Sequence, residues 1–256
     1  MHRMRILGID IGGTGIKGGI VDVQAVRLVT ERYRVLTPIP ATPNKMLQSV
    51  KEIVAYHDWK GPIGIGFPGL IRSGICIAGN NLDSSWMGIH LAEFFEEALG
   101  VSTYVANDAD VAGYAEVLCN AKLVGIPKIL FLTLGTGVGS ALICNGKLSP
   151  GTELGSLRYK KSILENYISN RARKEKHLSW KEYGKKLHQA LMYLIEILSP
   201  DQIILGGGVS KKLEKFQKYI RTPIPVSAAE LQNTAGTIGA ALYAYNNLSG
   251  LSSSKD

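Results

Sequence analysis

A carboxylate inside a glycine-rich turn is the first feature of the chain that asks for chemistry. Residues 8–22 read GIDIGGTGIKGGIVD, with Asp10 just ahead of Gly12, Gly13 and Thr14 and with Lys17 following. Glycine turns let backbone N–H groups wrap a phosphate, yet a carboxylate repels a phosphate unless a cation lies between them. A second turn of the same kind, LGTGVG at 134–139, places Thr136 between Gly135 and Gly137. Neither is a Walker A loop, and neither is a GxGxxG opening a dinucleotide helix. The third feature is AND at 106–108. Asp108 ends a buried apolar run, where a crevice forms and a carboxylate is placed to accept a proton. It suits the N-cap of the following helix equally well, and the two roles are compatible.

The elements that must hold these residues follow from hydrophobic periodicity. Strands are expected at 6–11, 17–23 and 25–34, then a helix over 44–57, then the buried strand of IGIGFPG. A helix over 89–99 stops at Gly100, a C′ glycine. TYVAND is a strand that feeds the helix ADVAGYAEVLCN, and KILFLTLGTGVGSALICNGK is two strands about a turn. Ser179 and Glu182 form the capping-box pattern ahead of a helix whose stripe is Leu187, Ala190, Leu191, Leu194, Ile195 and Leu198. QIILGGG is a further strand and turn, GTIGAALYAYNNL a last helix, and SGLSSSKD a frayed tail. GTGIKGGIV at 13–21 is echoed by GTGVGSALI at 135–143, each between two strands. The echo predicts a duplicated strand–turn–strand unit and two lobes facing a common cleft.

Composition bounds the function. In 256 residues, 45% are hydrophobic and 20% charged, ordinary for a globular protein. Cys76, Cys119 and Cys144 form no CxxC pair, so neither a disulfide framework nor a zinc site is expected, and the histidines show no metal spacing. The start carries no signal-peptide apolar region and no later run reads as a membrane helix, so a cytoplasmic protein is expected. The net charge of +8 is concentrated: residues 158–186 hold ten Lys or Arg against three Glu, and residues 211–221 hold five against one. Such density suits either a polyanionic partner or a solvated helix face.

Taken in order, DIGGTGIK, GIGFPGLI, NLDSSW, ANDADVAGYAE, LTLGTGVGS, TELG, LENYISNRAR, LSPDQIILGGGVSKK and AGTIGAAL resemble the ROK sugar-kinase family, and most closely its polyphosphate glucokinase branch, over nearly the whole chain. The resemblance implies an α/β protein of the actin-like (ribonuclease H-like) ATPase fold: a small lobe of residues 1–109 completed by helix 236–256, and a large lobe of 110–235. It implies phosphoryl transfer from inorganic polyphosphate and/or ATP to the 6-hydroxyl of glucose, with Asp108 as general base. Asn107, Glu153, Ser156 and Glu165, with Asp108, are the expected sugar ligands. Gly12, Gly13, Thr14 and Lys17 from one side and Gly135, Thr136 and Gly137 from the other would flank the donor. Asp10 would sit beside Mg²⁺, which answers the electrostatic puzzle of the first turn.

The chain also departs from the family's pattern. No cysteine lies between Gly155 and Glu165, where the wider family has a zinc motif, so no zinc is expected. Ser156 stands where the family has histidine, and Ser140 where glycine is usual. Serine is too short to make the histidine's sugar contact directly, which motivates one alternative, a sugar-binding sensor or regulator impaired in catalysis. A hexokinase using ATP alone is the other. Polyphosphate is favoured as donor because a flexible polyanion needs a track of positive charge, which Lys and Arg supply. No nucleic-acid motif accompanies the basic stretches, so neither nucleic acid nor membrane is an expected partner; the resemblance implies glucose, the donor and a second copy of the chain.

Overall fold

The computed structural model describes residues 4–79 and 82–252. The chain divides into two compact units, Met1–Ala115 with Asn233–Asp256, and Glu116–Gln232. In the first, β1 (Arg5–Gly12) and β2 (Gly15–Asp22) form an antiparallel hairpin, and β3 (Arg27–Leu28) and β4 (Tyr33–Val35) both pair with β2. Then come α1 (Pro43–Tyr56), β5 (Ile63–Phe67), a small hairpin of β6 (Leu70–Arg72) and β7 (Ile75–Ala78), α2 (Leu91–Leu99), β8 (Thr103–Asn107) and α3 (Asp108–Cys119). β5 lies parallel to β1 and β8 parallel to β5, giving the order β3-β2-β1-β5-β8.

The second unit holds the hairpin β9 (Lys128–Leu134) and β10 (Val138–Cys144), β11 (Lys147–Ser149), the short pair β12 (Arg158–Tyr159) and β13 (Ser162–Ile163), α4 (Glu165–Ile168), α5 (Asn170–Glu175) and α6 (Trp180–Leu198). It ends with β14 (Gln202–Gly206), α7 (Gly207–Ser210) and β15 (Val226–Ala228), after which α8 (Ala235–Ser252) belongs to the first unit. Its sheet runs β11-β10-β9-β14-β15. Antiparallel hairpin followed by two parallel strands is the same arrangement in both sheets, so the sequence echo corresponds to a repeated structural unit.

Strand alternation explains how the first sheet is clothed. In β1, Leu7, Ile9 and Ile11 point one way, and in β5 so do Ile63, Ile65 and Phe67; all join the core built with α1 and α2. On the other face stand Gly8, Asp10 and Gly64. A Cβ at Gly8 would lie 1.9 Å from the Thr237 carbonyl oxygen, and one at Gly64 the same distance from that of Ala240. Glycine is therefore required for the α8 backbone to rest on this sheet. The second sheet solves the same problem with bulk: Leu130, Leu132, Ile203 and Leu205 interdigitate with Leu187, Leu191 and Leu194 of α6. That helix begins at the expected capping box, with Glu182 N–H donating to Ser179 Oγ at 3.3 Å and Ser179 N–H to Glu182 Oε2 at 2.9 Å.

Three expectations need correction. The strand expected over 25–34 is broken, because Asp22 Oδ1 accepts from the N–H groups of Gln24 and Ala25 and turns the chain, leaving Val26 at φ 50°. The helix expected from residue 89 begins at Leu91, since Ile75 and His90 form a β-bridge; it does end at Gly100, at φ 69°. α8 runs to Ser252, past the end expected at 248, and the rest of the expected tail lies outside the described residues. So do residues 1–3 and the first residue of NLDSSW. Among the described residues no helix is long and apolar enough to cross a membrane.

Candidate functional site

The carboxyl ends of the three parallel strands of the first unit gather its chemistry-bearing residues. Asp10 is in register with Gly66, and Gly66 with Ala106, so one row across the sheet joins β1, β5 and β8. With strands about 4.8 Å apart, Asp10 and Ala106 are roughly 10 Å apart on that row, and Asp108 follows where β8 turns into α3. Asn107 makes this corner. Its Oδ1 accepts from the N–H groups of Ala109 (2.8 Å) and Asp110 (3.2 Å), and its Nδ2 donates to the Gly69 carbonyl at 3.1 Å. Asp108 Oδ1 accepts from the Ala109 N–H at 2.8 Å. The helix start that the sequence offered to Asp108 is thus capped mainly by its neighbour, and Asp108 stands at the first turn of α3.

Asp10 faces Lys17 across the β1–β2 hairpin, Nζ to Oδ2 3.7 Å. A Cβ at Gly236 would lie 2.7 Å from the Asp10 carboxyl carbon, so the first turn of α8 closes over this carboxylate. Burial pushes the Asp10 carboxyl above the usual carboxylate range, against the pull of Lys17 and Arg32. The Gly13–Thr14 turn is closed by the pair Gly12 and Gly15. It is braced by donors the sequence reading did not single out: Thr37 Oγ1 donates to the Gly12 carbonyl at 2.5 Å, and Arg34 Nη2 to that of Thr14 at 3.2 Å. The signal for Arg34 is cross-strand pairing, since β4 sets it opposite Lys17. That pairing is invisible in a segment read as one long strand.

In the second unit the turn Gly135–Gly137 is gripped from below. Glu165 Oε2 accepts from the Val138 N–H at 3.2 Å, and a Cβ at Gly137 would come within 2.6 Å of that oxygen. Glu165 Oε1 pairs with Arg171 Nη2 at 2.9 Å, and the Arg171 N–H donates to the Gly135 carbonyl at 3.3 Å. Glu153 sits on the next loop, where burial raises its carboxyl. That loop is fastened to β10: Ser140 Oγ donates to the Thr152 carbonyl and accepts from the Leu154 N–H at 3.1 Å. Gly155 packs on Val138, its Cβ position 2.1 Å from the carbonyl oxygen. Ser156 is exposed, its N–H donating to the Glu153 carbonyl at 3.1 Å. The structure therefore brings Glu165 and the second glycine turn together at Val138, and packs the loop of Glu153 and Ser156 on the same residue through Gly155.

The chain is similar to known proteins in sequence and in fold. The ROK family model matches residues 6–157. The polyphosphate glucokinase of Mycobacterium tuberculosis (strain CDC 1551 / Oshkosh) is 37% identical over 236 residues, spanning 92% of this chain and 89% of its own. Among solved structures, the inorganic polyphosphate/ATP-glucomannokinase from Arthrobacter sp. strain KM matches at TM-score 0.87 and 39% identity, over 95% of this chain and 99% of that one. A ROK family glucokinase from Streptomyces griseus, in complex with glucose and AMPPNP, matches at TM-score 0.80 and 24% identity over 95% and 100%, a likeness of fold. The α/β, actin-like fold expected from the motif series is the fold of these neighbours. With the family model over more than half of its length and a relative 37% identical over nine-tenths of it, the chain belongs to the ROK family.

Proposed function

We propose that this chain is a glucose kinase, transferring the terminal phosphoryl group of inorganic polyphosphate, with ATP as a second donor, to the sugar 6-hydroxyl. The observation that carries this reading is the row that sets Asp10 and the Asp108 corner at the carboxyl edge of one sheet. The donor comes from the relatives, which are polyphosphate enzymes over nine-tenths of the chain. With polyphosphate kinases 37% and 39% identical over more than nine-tenths of the chain, against 16% for a ROK family transcriptional regulator, a regulator without catalysis is not favoured.

Asp108 takes the proton from the 6-hydroxyl as that oxygen bonds to the terminal phosphorus and the phosphoanhydride bond breaks, leaving the donor one phosphate shorter. Asn107, Glu153, Ser156 and Glu165 are assigned to the remaining sugar hydroxyls. Gly12, Gly13, Thr14 and Lys17 are assigned to the donor's phosphates, as are Gly135, Thr136 and Gly137. Positioning and charge neutralisation supply most of the rate of such a transfer. Among the described residues no three metal-ligating side chains converge. A single half-buried carboxylate beside a phosphate turn instead fits Mg²⁺, which is held through one or two carboxylates together with substrate phosphates. Asp10 would hold Mg²⁺ there, and the ion would supply neutralisation of the donor's negative charge. The homodimer and the cytoplasmic location belong to the same reading, and solution mass and cell fractionation test them.

The deciding measurement is glucose 6-phosphate formation with Mg²⁺ and either polyphosphate or ATP. Asp108→Asn is expected to lower kcat by about 10³-fold, within the range for losing a general base, with its unfolding temperature unchanged. A variant as active as the wild type, or a wild type inert with both donors, would sink the reading.

A further inference from the structure

Two basic clusters that are separate in the sequence become one surface in the second unit. The path starts at the second glycine turn, where Arg171 holds the Gly135 carbonyl through its N–H. From there α5 carries Arg173 and Lys174 outward. The Arg173 guanidinium lies 4.2 Å over the Trp180 ring, and Trp180 stacks on Phe216 at 5.5 Å and 11°. This three-layer stack fastens α5, the start of α6 and the segment 213–219 to one another.

The next contacts are on α6, where Lys181, Gly184, Lys185 and His188 fall at i, i+3, i+4 and i+7 and share a stripe. Tyr219 lies directly on that stripe, because a Cβ at Gly184 would be 3.0 Å from its Cβ. The Arg221 N–H donates to His188 Nδ1 at 3.4 Å, and the Lys218 ammonium stands 5.3 Å over the Tyr219 ring. Lys218 and Arg221 are therefore delivered to the stripe that carries Lys181 and Lys185, and Lys215 lies in the segment that Trp180 and Phe216 fasten to the start of α6. Acids are scarce and partly engaged: Glu182 is held by Ser179 in the capping box. The ammonium groups of Lys174, Lys181, Lys185 and Lys215 form no ion pair or hydrogen bond among the described residues. Unpaired like charges at this density repel one another and weaken the fold unless something anionic covers them.

We infer that this face, from Arg171 along α5 and the first turns of α6 to Lys215 and Lys218, holds the body of a polyphosphate chain while the chain's end reacts at the turn 135–137. The inference rests on the proposed donor and adds where the remainder of that donor lies. Lysine suits the task, since a flexible chain of phosphates demands charge rather than a fixed fork of donors. Short donors end before they reach α6, so the face discriminates by chain length.

The test compares wild type with the triple variant Lys181→Gln, Lys185→Gln, Lys215→Gln, using long-chain polyphosphate, tripolyphosphate and ATP. Direct binding is followed by calorimetry at several salt concentrations, beside the KM of each donor. For long chains, Kd and KM are expected to rise at least about tenfold, and the slope of log affinity against log salt to fall by roughly 2 to 3. KM for tripolyphosphate and ATP is expected to stay within about twofold, and thermal unfolding reports that the variant is folded. Unchanged long-chain binding, or an equal loss for all three donors, would overturn the face. So would a triple variant that loses single-stranded nucleic acid while keeping polyphosphate. A wild type that binds long chains through these lysines yet transfers phosphate only from ATP supports the face and removes the proposed donor.

Discussion

The two hairpins that carry the glycine turns share a sequence and differ in construction. In the first, Gly13 and Thr14 form a two-residue turn closed by Gly12 and Gly15; in the second, Gly135 to Gly137 form a three-residue turn closed by Leu134 and Val138. One residue of difference changes the face on which each later side chain of the strand emerges. The braces differ too. The first turn is held at its carbonyls by Arg34 and Thr37, beside Lys17. The second is held by a carboxylate, Glu165, whose charge Arg171 balances. Where the first hairpin has Asp10, the echo in the second has Leu132. Two hairpins of one pattern thus carry turns of different length, and each has its own charged group: Asp10 beside Lys17 at the first, and at the second Glu165, balanced by Arg171.

Among changes to the two hairpins, the largest effect should come from erasing that asymmetry at Asp10. Asp10→Asn is expected to lower kcat by about 100-fold, the scale for an outer ligand of a catalytic ion. The same change should stabilise the metal-free protein at neutral pH. A carboxyl whose folded pKa is raised favours folding while protonated and loses that contribution as pH rises through the folded value. Burial raises Asp10, so its ionised form is the strained one, and removing the charge relieves it. Below the ordinary carboxylate pKa the two proteins should converge. Calorimetric melts of wild type and variant across pH 3 to 8 check this; a variant that melts lower at neutral pH would show that the Lys17 contact outweighs burial.

Next in size is Glu165. Glu165→Ala removes the acceptor of the Val138 N–H and the partner of Arg171, so about 1–3 kcal/mol of stability and on the order of tenfold in kcat/KM for glucose should go. Arg34→Ala, which takes one exposed donor from the first turn, should cost under about 1 kcal/mol. Glu165→Gln keeps an oxygen for Val138 and should recover most of the stability without the activity. Equal losses at the two turns, measured by denaturant unfolding, would break the contrast between them.

Much of this was legible because it is local. Alternation in GIDIG and IGIGF announces a strand with one apolar and one bare face. The capping box at Ser179 and Glu182 and the glycine at 100 state where helices begin and end. Asp10, Asp108 and both turns are likewise read from short runs, and the ROK family model reaches from residue 6 to 157 and includes them. What escaped is what folding makes neighbours. The break after Asp22 depends on a side chain turning back on its own backbone, against the β propensity of the residues around it. Arg34 joins the first turn only through β4 pairing with β2. Glu165, past the matched region, was read as a sugar ligand alone, because its bond to Val138 spans 27 positions of sequence. The union of the two basic clusters depends on Trp180 meeting Phe216.

Ser140 offers the finest test of the comparison. The echo aligns it with Gly18, but the extra turn residue separates them: counted from the closing pair, Gly18 is third and Ser140 second. At Gly18 a Cβ would lie 2.2 Å from Ile53 Cγ2 of α1, so glycine is there to admit a helix. At Ser140 the side chain is buried and is used, its hydroxyl joining β10 to both residues that flank Glu153. Ser140→Ala should leave the Leu154 N–H unmatched, cost about 1–3 kcal/mol, and raise the KM for glucose roughly threefold with the donor KM unchanged, a small loss of positioning. Ser140→Thr, which restores the hydroxyl, should recover the glucose KM. Gly18→Ala should cost a similar 1–3 kcal/mol by overpacking while leaving both KM values alone. If the two alanine variants shift glucose KM alike, then the hydroxyl does not position Glu153, and the second hairpin differs from the first in its turn but not in its service to the sugar.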